Sequence, residues 1–139
     1  MKTIFVCTGN TCRSPLAESY AKSIYKGDAF ESRGIMVGSS EISGESKRII
    51  EENDLPVPTS PAQLSADDIE GNLLLTMTEN HKMHINHLFP EAKVYTLGEY
   101  TTGETDDVAD PFGGDSAMYD SAFTEIKSYI NLLDKGDES

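Results

Sequence analysis

Short apolar runs alternate along the chain with longer stretches of helical periodicity. Thr3–Val6 is a continuous apolar run, as expected of a strand buried on both faces. The segment CTGNTCRS follows as a loop. Pro15 then opens a helix to about Tyr25 with Ser14 as its N-cap. Leu16, Tyr20 and Ile24, with Ala17 and Ala21, share one face of that helix. Phe30–Val37 reads as a second strand, weakened by Arg33 and Gly34. Gly44–Asn53 reads as a short polar helix with Ile49 and Ile50 inward. Three prolines make Leu55–Gln63 a loop. Ser65 caps a helical turn through Glu70, Leu73–Met77 is a third buried strand, Thr78–Leu88 is helical, and Val94–Leu97 is a fourth strand. An acidic, glycine-containing loop spans Thr101–Asp115. Ala117–Leu133 closes the pattern as an amphipathic helix with Tyr119, Phe123, Ile126, Ile130 and Leu133 inward, and a tail from about 135 to 139 is expected to fray.

Strands that alternate with helices imply an α/β fold. We expect a single three-layer domain over residues 1–139: a four-stranded parallel sheet with helices on both faces. Ligands of such folds bind at the C-terminal ends of the strands. That directs attention to the loop after strand one and to the acidic loop after strand four.

Composition narrows the function classes. The chain is 37% hydrophobic and 25% charged, and no apolar run approaches a membrane span. The apolar start is too short for a signal-peptide core, so the expected location is cytoplasmic. A net charge of −13 opposes nucleic acid and anionic membrane surfaces as partners. A phosphate group would be bound against that overall field, so its site must be local and strong. The two cysteines, Cys7 and Cys12, do not make a disulfide scaffold; their reactivity is the issue.

The segment CTGNTCR joins a buried strand to a helix N-terminus, where unpaired N–H groups and the helix dipole favour an anion. Gly9 permits unusual backbone angles, Asn10 tolerates left-handed ones, and the amides from Thr8 through Cys12 can converge on one point. Arg13 adds a permanently charged, bidentate clamp. Cys7 opens the loop. A free thiol has a pKa near ~8.5, and such surroundings lower it, giving a thiolate nucleophile. The Ser14 hydroxyl is placed to hydrogen-bond that sulfur. Phosphoryl transfer through Cys7 also needs an acid for the leaving group. Asp110, held extended by Pro111 and followed by Gly113 and Gly114, fits that role, with Phe112 as a wall of the cleft. Asp106 and Asp115 read as solvated loop acids, and Asp107 is left open.

The segments CTGNTCRSP, SRG, TMT, LGEY and DPFGG, in this order and spacing, resemble the low-molecular-weight protein-tyrosine phosphatase family over the whole chain. The resemblance implies Cys7 as nucleophile, Arg13 as phosphate clamp, Asp110 as general acid, and Asn10 and Ser14 as residues that order the loop. Thr11 departs from the phosphotyrosine members, which usually carry a larger aliphatic residue there. In this it resembles the bacterial protein-arginine phosphatase branch, where threonine is the selecting residue. The expected activity is therefore hydrolysis of phosphoarginine in proteins through a phosphocysteine, with a tyrosine phosphatase of the same mechanism as the alternative. Phosphorylated proteins are the expected partners, inorganic phosphate the product, and the chain a monomer without cofactor or metal.

Cys12 has two readings. It forms a protective, reversible disulfide with Cys7, which the resemblance supports, or it is a small buried residue under the loop. A thioredoxin-coupled arsenate reductase shares this loop but needs further cysteines, and none follows Cys12. A non-enzymatic phosphate-binding module would not need Cys7, Arg13 and Asp110 together. His81, His84 and His87 spread over about 120° of helix. They lack the i, i+4 pairing of a zinc helix and read as solvated polar residues.

Overall fold

In the computed structural model, which describes residues 2–104 and 107–133, the apolar runs become four strands: β1 (Thr3–Cys7), β2 (Phe30–Gly34), β3 (Leu73–Thr76) and β4 (Lys93–Thr96). All pair in parallel in the order β2-β1-β3-β4. The helices are α1 (Arg13–Ile24), α2 (Gly44–Glu52), α3 (Glu79–Leu88), α4 (Leu97–Thr102) and α5 (Ser116–Ile130), with a 3₁₀ turn at Ala66–Asp68.

The strand alternation divides the core in two. Phe5, Cys7, Leu73 and Leu75 face a cluster built with α1, α2 and α5, including Leu16, Ile49, Tyr119, Phe123, Ile126 and Ile130. Ile4, Val6, Leu74 and Val94 face a smaller cluster closed by Ile85 of α3 and by Ile69. Both faces are covered, as near-continuous apolar parallel strands require. Because β2 lies on one side of β1 and β3 on the other, the connections leaving β1 and β2 diverge, and a crevice opens at the C-terminal end of β1.

Several boundaries differ from the sequence pattern for local reasons. β2 ends at Gly34 rather than Val37 because the chain then follows the loop after β1: Ile35 N donates to Cys7 O and Met36 N to Thr8 O. α1 begins at Arg13 with Cys12 as N-cap, so Ser14 and Pro15 lie inside its first turn and Ser14 caps nothing. Ile24 is 40% exposed at the end of that helix. The helix α4 was not anticipated; Thr96 and Glu99 form its capping box. Asp115 is the N-cap of α5, accepting from Met118 N, and not a free loop acid. Asp106 and the tail at 135–139 lie outside the described residues.

Candidate active site

The loop after β1 is pinned from behind by its carbonyls. Cys7 O and Thr8 O accept from Ile35 N and Met36 N, Thr11 O accepts from Ser43 N at 2.8 Å, and Cys12 O accepts from Ser46 Oγ. In a trans peptide the N–H points opposite to the C=O. Tying these four carbonyls outward turns the amides of Thr8, Gly9, Cys12 and Arg13 the other way. On that side lies a cavity of about 210 Å³ lined by Cys7, Thr8, Gly9, Thr11, Cys12, Arg13, Asp110 and Phe112. Those are eight of the ten residues expected at the site; Asn10 and Ser14 stand behind it.

The left-handed residue of the loop is Asn10, at φ 57°, whereas Gly9 is not at positive φ. The fully buried Asn10 side chain holds that strained turn. Its Nδ2 donates to Ser14 Oγ at 2.8 Å and to Ser32 Oγ at 2.9 Å, and its Oδ1 accepts from Ala62 N at 3.1 Å. Ser14 Oγ in turn lies 2.9 Å from Cys7 Sγ. Ser32 passes its own hydrogen on to Glu18, a fully buried carboxylate that also accepts from Thr59 and pairs with Lys22. The sulfur is thus fixed from behind by a hydroxyl whose own position is set, through Asn10, by β2 and by the loop at residues 59–62.

Arg13 is 4% exposed. Its Nη1 donates to Val108 O at 2.9 Å, and its buried Nε has no protein partner. Among the described residues its ion-pair partner is Asp110, at a loose 3.7 Å from Nη2, and the Asp110 side chain is half-exposed. A buried guanidinium so weakly compensated has the electrostatics to attract an anion. Val108 N donates to Met77 O, and Asp107 Oδ1 accepts from Glu79 N, so the acid-bearing loop is fastened to the ends of β3 and α3. Asp110 Oδ1 accepts from Phe112 N, which fixes the turn that leaves Phe112 open to solvent beside the cavity. The arrangement can hold a tetrahedral oxyanion between sulfur, amides and guanidinium, with the Asp110 carboxyl group lining the same cavity from the opposite loop.

The model of low molecular weight phosphotyrosine protein phosphatases matches residues 2–136. The chain belongs to that family. Its relatives include the low molecular weight protein-tyrosine-phosphatase PtpB of Staphylococcus epidermidis, 44% identical over 137 residues that cover 97% of this chain and 96% of PtpB. Among solved structures, the YwlE arginine phosphatase from Geobacillus stearothermophilus superposes with a TM-score of 0.91 at 35% identity, covering 96% of this chain and 90% of that one. A C7S mutant of YwlE arginine phosphatase with a phosphorylated active site serine superposes at 0.92 with 34% identity, covering 97% and 94%. The chain is therefore a cysteine-dependent phosphatase of the bacterial low molecular weight type.

Sequence reasoning missed several residues of this low molecular weight phosphatase. His81 is not a solvated helix residue: it is buried, and its Nε2 lies 2.9 Å from Thr8 Oγ1. Burial, followed by the positive charge of Arg13, pushes its pKa down to about 4. Ser32 and Gly34 reach the loop only through the register of β2 on β1, where they face Phe5 and Cys7. Tyr119 is buried on the inward face of α5, as its phase with Phe123 and Ile126 predicts, and its hydroxyl lies 3.5 Å from Cys12 Sγ. Burial and the neighbouring Cys12 push the Tyr119 phenol up to about 12. Both cysteines are buried free thiols. Among the described residues no cluster of three His, Cys, Asp or Glu side chains is placed to hold a metal, and no helix is long and apolar enough to cross a membrane.

Proposed function

We propose that the chain is a protein-arginine phosphatase acting through a phosphocysteine intermediate. Cys7 thiolate attacks phosphorus in line, the S–P bond forms as the P–N bond breaks, and Asp110 gives its proton to the departing guanidine nitrogen. The amides of Thr8, Gly9 and Cys12, with Arg13, hold the equatorial oxygens. Asp110 then takes a proton from water, whose oxygen attacks phosphorus; the S–P bond breaks and inorganic phosphate leaves. Ser14 Oγ, 2.9 Å from Cys7 Sγ, supports the thiolate both as nucleophile and as leaving group.

The observation that carries the choice of phosphoarginine is Thr11. It lines the cavity with a short polar side chain, where a larger aliphatic group would pack beside a phenol ring. The structural likeness to YwlE arginine phosphatases supports this reading. The PtpB relatives, named as tyrosine phosphatases, keep the tyrosine reading as the alternative. The experiment is kcat/KM on a phosphoarginine peptide and a phosphotyrosine peptide of the same sequence, for wild type and Thr11→Ile. Wild type should prefer phosphoarginine, and Thr11→Ile should move the ratio toward phosphotyrosine by ten-fold or more, on the order of 1–3 kcal/mol for one pocket group. A wild type that prefers phosphotyrosine, with an unmoved ratio in the variant, contradicts the proposal.

A further inference from the structure

We propose that His81 is a positioning residue of the phosphate loop: its imidazole holds Thr8 Oγ1 and thereby aims the first amides of the loop at bound phosphate. The inference rests on the reading of the cavity as a phosphate site.

Thr8 directly follows Cys7 and lines the cavity. Its carbonyl is taken by Met36 N at 2.8 Å, from the segment after β2. Its hydroxyl is taken by His81 Nε2 at 2.9 Å, from α3 on the other side of β1. The residue is thus held from two elements that flank β1, which fixes the peptide planes before and after it. His81 is itself fixed, because its backbone N–H donates to Thr78 Oγ1, the N-cap of α3. The same first turn holds the acid loop through Glu79 N and Asp107 Oδ1 at 2.8 Å. One turn of helix therefore sets the distance between the loop that carries Cys7 and the loop that carries Asp110.

His81 Nδ1 is buried without a partner. An apolar side chain would fill this place without leaving a polar atom unpaired, so packing does not account for a histidine here. The bond to Thr8 does. We assign the proton to Nε2, donating to Thr8 Oγ1, because this tautomer leaves a lone pair rather than an N–H unpaired at Nδ1. The threonine hydroxyl proton is then free to turn toward the cavity.

The test is inhibition of p-nitrophenyl phosphate hydrolysis by inorganic phosphate in wild type, His81→Leu, His81→Gln, Thr8→Val and the His81→Leu/Thr8→Val double variant, with the melting temperature of each. His81→Leu should raise Ki for phosphate about ten-fold, the scale of one well-made hydrogen bond. Thr8→Val should do the same, and the double variant should be no worse than either. His81→Gln, whose amide reaches Thr8, should restore most of the affinity. Should His81→Leu not fold, His81→Asn replaces it, since its amide is too short to reach. Additive losses in the double variant, or equal Ki for Gln and Leu whatever their melting temperatures, overturn the proposal. A wild type that neither hydrolyses the ester nor is inhibited by phosphate overturns the phosphate site itself, and this inference with it.

Discussion

Gly34 shows how tightly single residues are specified at this site. A Cβ there would come within 2.7 Å of Val37 Cγ2, 2.8 Å of Thr8 O and 3.0 Å of Asn10 Cβ. Val37 can yield, but Thr8 O and Asn10 are both held by hydrogen bonds. Gly34→Ala should therefore cost roughly 1–3 kcal/mol of stability and weaken phosphate inhibition as well, because relief of the clash displaces the loop. Urea melts and Ki for phosphate check this; an unchanged Ki would mean that the loop does not rest on β2. The second residue-scale expectation concerns Cys12, which we propose as the partner of a protective disulfide with Cys7. Wild type inactivated by peroxide should recover with dithiothreitol, and Cys12→Ser should not. Equal recovery in both would reject the pairing. At this scale the convergence of Cys7, Arg13 and Asp110 on one cavity was legible from motif spacing and flanking prolines. The contacts of Ser32, Gly34 and His81 with the loop were not, although SRG is among the segments that carry the resemblance, since each reaches the loop through pairing or packing of distant segments.

Elements were more legible than their ends. All four strands and the helices α1, α2, α3 and α5 follow from apolar periodicity, whereas their limits follow from hydrogen bonds that periodicity does not carry. α1 starts at Arg13, two residues earlier than the proline signal suggested, because its first amides face the cavity and the Ser14 hydroxyl is committed to Cys7 and Asn10. α4 escaped notice because it is only six residues long and contains Gly98, although its capping box Thr96–Glu99 was readable. The burial of His81 on α3 has a consequence for acid stability. Burial above all, then Arg13 and more weakly His84, hold its pKa down, Asp107 and Asp110 oppose them, and it falls from 6.5 to about 4. As pH drops below 6.5 the unfolded chain takes up this proton before the folded one does. Stability is fully present above that pH and is lost as pH falls toward 4, by on the order of 3 kcal/mol. Urea unfolding at pH 7 and pH 4.5 should show a smaller loss for His81→Gln than for wild type; equal losses would contradict the assignment.

At the scale of the whole molecule, the site exists because the β2-β1-β3-β4 order gathers segments from four parts of the chain around the C-terminal end of β1. Segments 7–14 and 107–112 are about a hundred residues apart, yet Arg13 Nη1 and Val108 O meet at 2.9 Å. The excess of 24 acidic over 11 basic residues puts the anion site inside an unfavourable field, and Arg13 with the loop amides offsets it locally. Convergence of the two loops is what a two-step phosphoryl transfer requires, with the nucleophile on one and the proton donor on the other. The most direct test is rapid-mixing kinetics of Asp110→Ala with p-nitrophenyl phosphate, whose leaving group needs little protonation. A burst of p-nitrophenol stoichiometric with enzyme is expected, followed by slow turnover as the phosphocysteine waits for an unassisted water, and no burst when Cys7 is also replaced by serine. Linear release without a burst, together with wild-type turnover by Cys7→Ser, would contradict two-step transfer through Cys7.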